Sequence, residues 1–177
     1  MSHITFVTGG SRSGKSRYAL DCALRCAPRA FIATAIAFDE EMKERIAAHQ
    51  AERGDRFQVV EEPINLAGAV TGLESGTGIA LIDCLTVWLG NLMHEHGDDR
   101  GDYPELQAFQ AMLDNPPMDL VIVSNEVGMG IIPENAMSRR YRDLAGTLNQ
   151  QVACKADKVV FVVSGIPMVI KPSGGEA

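Results

Sequence analysis

The chain has 177 residues, 46% of them hydrophobic and 22% charged, which suits one globular domain with a substantial buried core. A formal net charge of −7 excludes a general electrostatic pull toward nucleic acid or anionic membrane. No apolar run reaches the ~18 residues of a membrane span. The first apolar run starts at Ile4, leaving no room for a signal peptide, so a cytoplasmic protein is expected. Cys22, Cys26, Cys84 and Cys154 form no C-x-x-C and have no His-partnered spacing. They are expected as small buried hydrophobes in a reducing compartment, not as a metal site or disulfide framework.

Ile4-Thr5-Phe6-Val7-Thr8 is an apolar, β-branched stretch and predicts a buried strand. A helix follows from residue 17 to about 26, stopped by Pro28. Residues 30–35 predict a second strand and residues 39–53 a charged amphipathic helix, with Asp39, Glu40 and Glu41 at its positive end. A turn at Gly54-Asp55 leads to a short strand over 57–61, and Pro63 opens a helix over 64–71. Residues 72–78 predict a surface loop, residues 79–83 a buried strand ending in an acid, and residues 85–93 a helix. Residues 94–104 are polar and glycine-containing and read as the least ordered internal stretch. A helix over 105–113 is broken by Asn115-Pro116-Pro117, and residues 120–124 form the next buried strand. A long glycine-punctuated loop, 125–134, precedes a helix whose stripe is Met137, Tyr141, Leu144, Leu148 and Val152. Residues 158–164 form the last buried strand, and 172–177 a frayed tail after a single domain over 1–171.

Strands that are continuous apolar runs, alternating with helices, predict an α/β fold with a mostly parallel sheet covered on both faces. Ligands of such folds bind beyond the carboxyl ends of the strands. Thr34, Asp83, Asn125, Glu126, Ser164 and Gly165 lie at those ends.

The sharpest motif is Gly9-Gly10-Ser11-Arg12-Ser13-Gly14-Lys15-Ser16, which meets G-x-x-x-x-G-K-S between a strand and a helix. Its glycines let backbone N–H groups surround a phosphate at a helix N-terminus. Lys15 is placed to reach the β- and γ-phosphates, and the Ser16 hydroxyl to meet Mg²⁺. A nucleoside triphosphate ligand is expected. Asp83 ends four apolar residues and is a Walker-B-like candidate for Mg²⁺; the other reading is a strand that merely ends in Asp. In the helix over 39–53, Met42 and Ile46 mark the inward face, with His49 and Arg53 on the same stripe. Arg53 could meet a phosphate there, and a neutral His49 could attack phosphorus. From spacing alone the favoured reading is a core histidine hydrogen-bonded to backbone, with Arg53 snorkelling or paired to Glu52 or Asp55. The loop over 125–134 suits a substrate-closing segment or an ordinary connector. Arg139, Arg140 and Arg142 could hold phosphates or form a solvated basic face. No N-K-x-D occurs, which disfavours a regulatory GTPase, and nothing matches basic-aromatic nucleic-acid patterning.

Together these segments resemble the bifunctional adenosylcobinamide kinase/adenosylcobinamide-phosphate guanylyltransferases of cobalamin synthesis. The matching stretches are the P-loop in its Gly-Gly-Ser-Arg-Ser-Gly-Lys-Ser form, Ile32-Ala33-Thr34, Asp39-Glu40-Glu41-Met42 with Arg45-Ile46 and His49, and Glu61-Glu62-Pro63. Asp83-Cys84-Leu85-Thr86, residues 124–135, Arg142-Asp143-Leu144-Ala145-Gly146 with Asn149, and Val163-Ser164-Gly165-Ile166-Pro167 extend it over nearly the whole chain. The resemblance implies two reactions: phosphorylation of the aminopropanol hydroxyl of adenosylcobinamide by ATP or GTP, then transfer of GMP from GTP to that phosphate. The products are adenosylcobinamide-GDP and pyrophosphate. It implies a covalent GMP-histidine at His49, with Lys15 also catalytic. It further implies a nucleotide site of Gly9, Gly10, Ser11, Arg12, Ser13, Gly14, Lys15, Ser16, Thr34, Ala35, Ile36, Gln50, Ala51, Glu52, Arg53, Glu61 and Asp83, with Mg²⁺ on Ser16 and Asp83. A homo-oligomer is implied as well. A P-loop kinase for another small metabolite, without nucleotidyl transfer, and a nucleotide-dependent switch module are the competing readings.

Overall fold

The computed structural model describes residues 2–36, 40, 54–97 and 101–174. Its strands are β1 Ile4–Gly9, β2 Arg29–Ala33, β3 Gln58–Glu61, β4 Ile79–Asp83, β5 Asp119–Asn125, β6 Lys158–Val163 and β7 Ile166–Lys171. Its α-helices among the described residues are α1 Lys15–Ala23, α2 Leu66–Thr71, α3 Leu85–His96, α4 Pro104–Asp114 and α5 Ala136–Lys155. The strands form one seven-stranded sheet in the order β3-β2-β4-β5-β1-β6-β7. All neighbours run parallel except β7, which is antiparallel to β6. The expected α/β, mostly parallel architecture is the observed one.

The period of two along each strand divides the core between the two faces. Phe6, Ile32, Ala80, Ile82, Leu120, Ile122 and Val159 join a cluster with Trp88, Leu89, Phe109, Leu148 and Val152, under α3, α4 and α5. Val7, Phe31, Leu81, Val121, Val123, Val160 and Val162 join Ala19, Leu20 and Ala23 of α1 on the other face. Burial on both faces is why these strands read as unbroken apolar runs. Trp88 is fully buried; its indole N–H donates to the Ile64 carbonyl at 2.7 Å, and its ring meets Phe109 edge-on.

Several expectations change in detail. The helix after the P-loop starts at Lys15 and ends at Ala23, well before Pro28. Its end is set by tight turns, Arg25 N–H to the Cys22 carbonyl and Cys26 N–H to the Ala23 carbonyl, not by the proline. The polar stretch over 94–104 is partly built structure: His94 to His96 finish α3, and Tyr103 is buried with its ring stacked on His96 at 4.9 Å. Tyr141, Leu144, Leu148 and Val152 of the α5 stripe pack inward, but Met137 is 70% exposed because the first turn overhangs the core. Only Cys84 is buried; Cys22 and Cys26 are half-buried and Cys154 is exposed, all as free thiols. The sequence reading stopped at β6 and missed β7. Ser164 and Gly165, both at positive φ (50° and 80°), make a two-residue hairpin turn between two apolar runs. That spacing is a hairpin signal, and Pro167 fits because β7 is an edge strand. The helix expected over 39–53 lies outside the described residues, apart from Glu40.

Candidate active site

The phosphate loop leaves the end of β1 between its two sheet neighbours. A Cβ on Gly9 would lie 2.4 Å from the Val162 carbonyl oxygen, so β6 passes too close for any side chain there. Gly14 has φ +95°, and its added Cβ would come within 3.2 Å of the Gly165 Cα. The loop is braced on both sides: Glu126 N–H donates to the Gly9 carbonyl at 3.0 Å, and Gly165 N–H donates to the Ser13 carbonyl at 2.8 Å. Arg12 takes positive φ at the tip. Lys15 opens α1, is buried, and reaches back across the loop to the Gly10 carbonyl at 3.1 Å. No side chain among the described residues caps this helix, so its first N–H groups and positive dipole end serve the loop. Such a cradle holds an anion.

Asp83 ends β4, two strands from β1 with β5 between. It follows Ile79 and Leu81 on the α1 face, the face from which Lys15 and Ser16 rise. The next residue is anchored by Thr34. The fully buried Thr34 hydroxyl donates to the Cys84 carbonyl at 2.9 Å, with the Asp83 carbonyl at 3.1 Å, and accepts the Cys84 N–H at 2.8 Å. The Thr34 carbonyl in turn accepts from Asn91 Nδ2 at 2.8 Å. Thr34 thus presents no polar atom to solvent; it fixes where β4 delivers Asp83. Ala35 is half-buried and Ile36 exposed just beyond it. Burial pushes the Cys84 thiol up, and the Asp83 carboxylate beside it adds to that, so Cys84 is not a thiolate nucleophile.

Glu61 ends β3 at the far edge of the sheet, with β2, β4 and β5 between it and β1. At about 4.8 Å per strand that is roughly 19 Å from the phosphate loop. Because Val60 packs under the opposite face, Glu61 and Asp83 share the α1 face. His49, Gln50, Ala51, Glu52 and Arg53 lie outside the described residues. Arg139 donates through Nη1 to the Pro133 and Glu134 carbonyls at 3.0 and 2.6 Å, closing the base of the 126–135 loop. Arg142 pairs with its neighbour Asp143 at 3.2 Å.

Among the described residues no group of three or more His, Cys, Asp or Glu could hold a metal ion by itself. Ser16 and Asp83 nevertheless supply an alcohol and a carboxylate on one face. Mg²⁺ prefers one or two such hard oxygens completed by substrate phosphates, so the donor set fits that ion.

One lining was not singled out from sequence. A cleft of about 440 Å³ opens beside the loop, bounded by Gly10, Ser11, Arg12, Ser13, Glu126, Met129 and residues 161–164. Glu126 and Ser164 were legible as strand-end residues and Met129 as part of the 125–134 loop; Phe161 carried no signal.

A glycine-rich loop after a central parallel strand, a buried lysine opening the next helix, and an acidic strand end two strands away define a protein of the P-loop NTPase fold. Solved structures share the architecture. The Pyrococcus horikoshii protein PH0250 gives a TM-score of 0.58 at 7% identity, over 97% of this chain and 87% of that one. An ATPase from the type III secretion system of pathogenic bacteria gives 0.52 at 11% identity, over 94% of this chain and 56% of that one. At such identity they speak for the fold alone. Residues 5–170 match the family described as cobinamide kinase/cobinamide phosphate guanyltransferase. The bifunctional adenosylcobalamin biosynthesis protein CobP of Pseudomonas aeruginosa is 41% identical over 93% of this chain and 95% of its own. The proteins of the same description named CobU in Salmonella typhimurium and Escherichia coli are 38% and 37% identical, each over 93% of this chain and 98% of its own. The chain belongs to the cobinamide kinase/cobinamide phosphate guanyltransferase family, a family of enzymes.

Proposed function

We propose that the protein phosphorylates adenosylcobinamide with ATP or GTP and then transfers GMP from GTP to the resulting phosphate. The braced phosphate loop with buried Lys15 is the observation that carries the reading. In the first reaction the loop N–H groups and Lys15 neutralise the transferring phosphoryl group while the acceptor hydroxyl attacks it. In the second, His49 displaces pyrophosphate from GTP to form a GMP-histidine, and the phosphate of the acceptor then displaces the histidine. Splitting the transfer in two lets one imidazole serve as both nucleophile and leaving group. Ser16 and Asp83 would hold Mg²⁺, which when bound would supply charge neutralisation at the phosphates. The remaining nucleotide contacts are assigned to Ala35, Ile36, Gln50, Ala51, Glu52, Arg53, Glu61 and Asp83. The shared face of Asp83 and Glu61 supports a nucleotide running from the loop along the α1 side of the sheet.

A homo-oligomer belongs to the same reading, supported by an open edge at β7 where Ile166, Met168, Val169 and Ile170 are exposed. A cytoplasmic location is supported by four free thiols. No helix among the described residues is long and apolar enough to cross a membrane.

The test uses GTP labelled at the α-phosphate with purified protein and Mg²⁺, without corrinoid. The expected outcome is acid-labile label on the peptide bearing His49, absent in His49→Ala, while cobinamide phosphorylation survives in that variant. Retained GMP transfer by His49→Ala would remove the histidine from the mechanism. GTP binding with no label at all would leave a simple kinase as the better reading.

A further inference from the structure

The phosphate loop divides the carboxyl end of the sheet into two sides that differ in chemistry. On one side stand Asp83 and Glu61, both on the α1 face of the β4-β2-β3 half. On the other lies the 440 Å³ cleft, over β5, β1 and β6. Phe161 lies between Val160 and Val162, which pack on the α1 face, so it points to the opposite one. The two sides therefore lie over different halves of the sheet end.

A second observation marks the cleft side. Thr8 is in register with Ser124 on β5 and with Phe161 on β6, so the three share a face. Thr8 Oγ1, Ser124 Oγ and the Oδ1 of Asn149 are buried and have no hydrogen-bond partner among the described residues. Asn149 reaches this strand from α5, its Nδ2 donating to the Asn125 carbonyl at 3.1 Å. Thr8 and Ser124 are 7% and 1% exposed and Asn149 8%. Buried polar atoms are almost always satisfied, by water or ligand when not by protein. None of these three lines the cleft, but Ser13 does, and its Oγ is likewise buried with no hydrogen-bond partner among the described residues, which leaves it for a polar occupant there.

We infer that this cleft receives the alcohol-bearing arm of the acceptor, and that Glu126 takes the hydroxyl proton in the kinase step. The inference rests on the kinase reading above and adds to it where the acceptor enters and which group is the base. Glu126 directly follows β5, next to the loop, and its Oε1 accepts the Gly128 N–H at 2.7 Å. That bond uses one of about four lone-pair sites on the carboxylate, and it holds the side chain in place. The balance is simple. The acceptor oxygen bonds to the γ-phosphorus as the bond from that phosphorus to the bridging oxygen breaks. The nucleoside diphosphate leaves, and the hydroxyl proton passes to the Glu126 carboxylate. A cleft of about 440 Å³ takes an arm, not a macrocycle. The bulk of a corrinoid then lies on the rim, where Met129 is 80% exposed and Val163 is also exposed.

The experiment compares Glu126→Gln and Val163→Trp with the wild type, measuring cobinamide phosphorylation with separate KM values for nucleotide and cobinamide. Gln keeps an oxygen for the Gly128 N–H, so the loop stays formed. The expected result for Glu126→Gln is a fall in kcat of about 100-fold or more with nucleotide KM within about twofold. For Val163→Trp, which narrows the mouth, cobinamide KM rises about tenfold or more with nucleotide KM unchanged. An active wild type with both variants unaffected overturns the inference and leaves the kinase reading standing. So does a rise in nucleotide KM in Val163→Trp, which would give the cleft to the nucleotide. A folded wild type that cannot phosphorylate cobinamide overturns the kinase reading, and the inference with it.

Discussion

Thr34 shows how a site residue can act without facing the ligand. Its hydroxyl is fully engaged with the backbone around Cys84, so Thr34→Val leaves a buried N–H without its acceptor. The expected cost is about 1–3 kcal/mol in urea unfolding, with a weaker response of nucleotide binding to Mg²⁺ as Asp83 loses its anchor. Tyr141 behaves differently. Burial pushes its hydroxyl up to about 12, with Cys84 adding to the shift, and that hydroxyl donates to the Thr86 carbonyl at 2.8 Å. The native state keeps a proton that the unfolded chain releases near pH 10. This contribution to stability is therefore whole below pH 10 and is lost as pH rises through about 12. Tyr141→Phe should flatten that alkaline decline in a pH series of unfolding midpoints, while costing about 1 kcal/mol at neutral pH for the lost hydrogen bond.

Among the elements, α5 is the longest helix described, and Asn135 begins it with Oδ1 accepting the Ser138 N–H at 2.7 Å. Asn135→Ala should cost about 1 kcal/mol, read as a shift in denaturant midpoint. The cap also closes the 126–135 loop, so the variant tests whether that loop's anchoring matters to turnover. The strands were legible because burial on both faces writes them as apolar runs, as in β4 and β5. The helix over 39–53, whose His49 acquires its role only through the family resemblance, lies outside the described residues apart from Glu40. β7 was legible only through its turn: Ile166, Met168, Val169 and Ile170 form an exposed apolar run at the sheet edge, with no inward/outward alternation to mark a strand. Glu126 was visible as a strand end and as part of the 125–134 loop, but not as a base. Its cleft is assembled from β5, β6 and the loop, which no local window of sequence brings together.

For the whole molecule, the site is a meeting of strand ends, and stability and ligand binding should be linked through it. A ligand that binds only the folded state at 100 times its Kd adds about 2.7 kcal/mol. GTP with Mg²⁺ should therefore raise the unfolding midpoint of the wild type. Lys15→Ala should fold, lose most of that ligand-dependent rise, and lose turnover by about 100-fold or more. An equal rise in Lys15→Ala would mean that the triphosphate binds elsewhere. The P-loop was readable because eight consecutive residues state its chemistry. The division of the sheet end into two sides was not, since it depends on strand order and on which face each residue takes.

The hairpin of β6 and β7 holds the Ser13 carbonyl through Gly165 and crowds Gly9 and Gly14 with its own backbone. The motif that declares the protein's chemistry is thus enforced in shape by residues translated about 150 positions after it. A nascent chain on the ribosome would carry the complete phosphate-binding signature through that interval without the walls that shape it. Competence would arrive when the β6–β7 hairpin closes beside the loop.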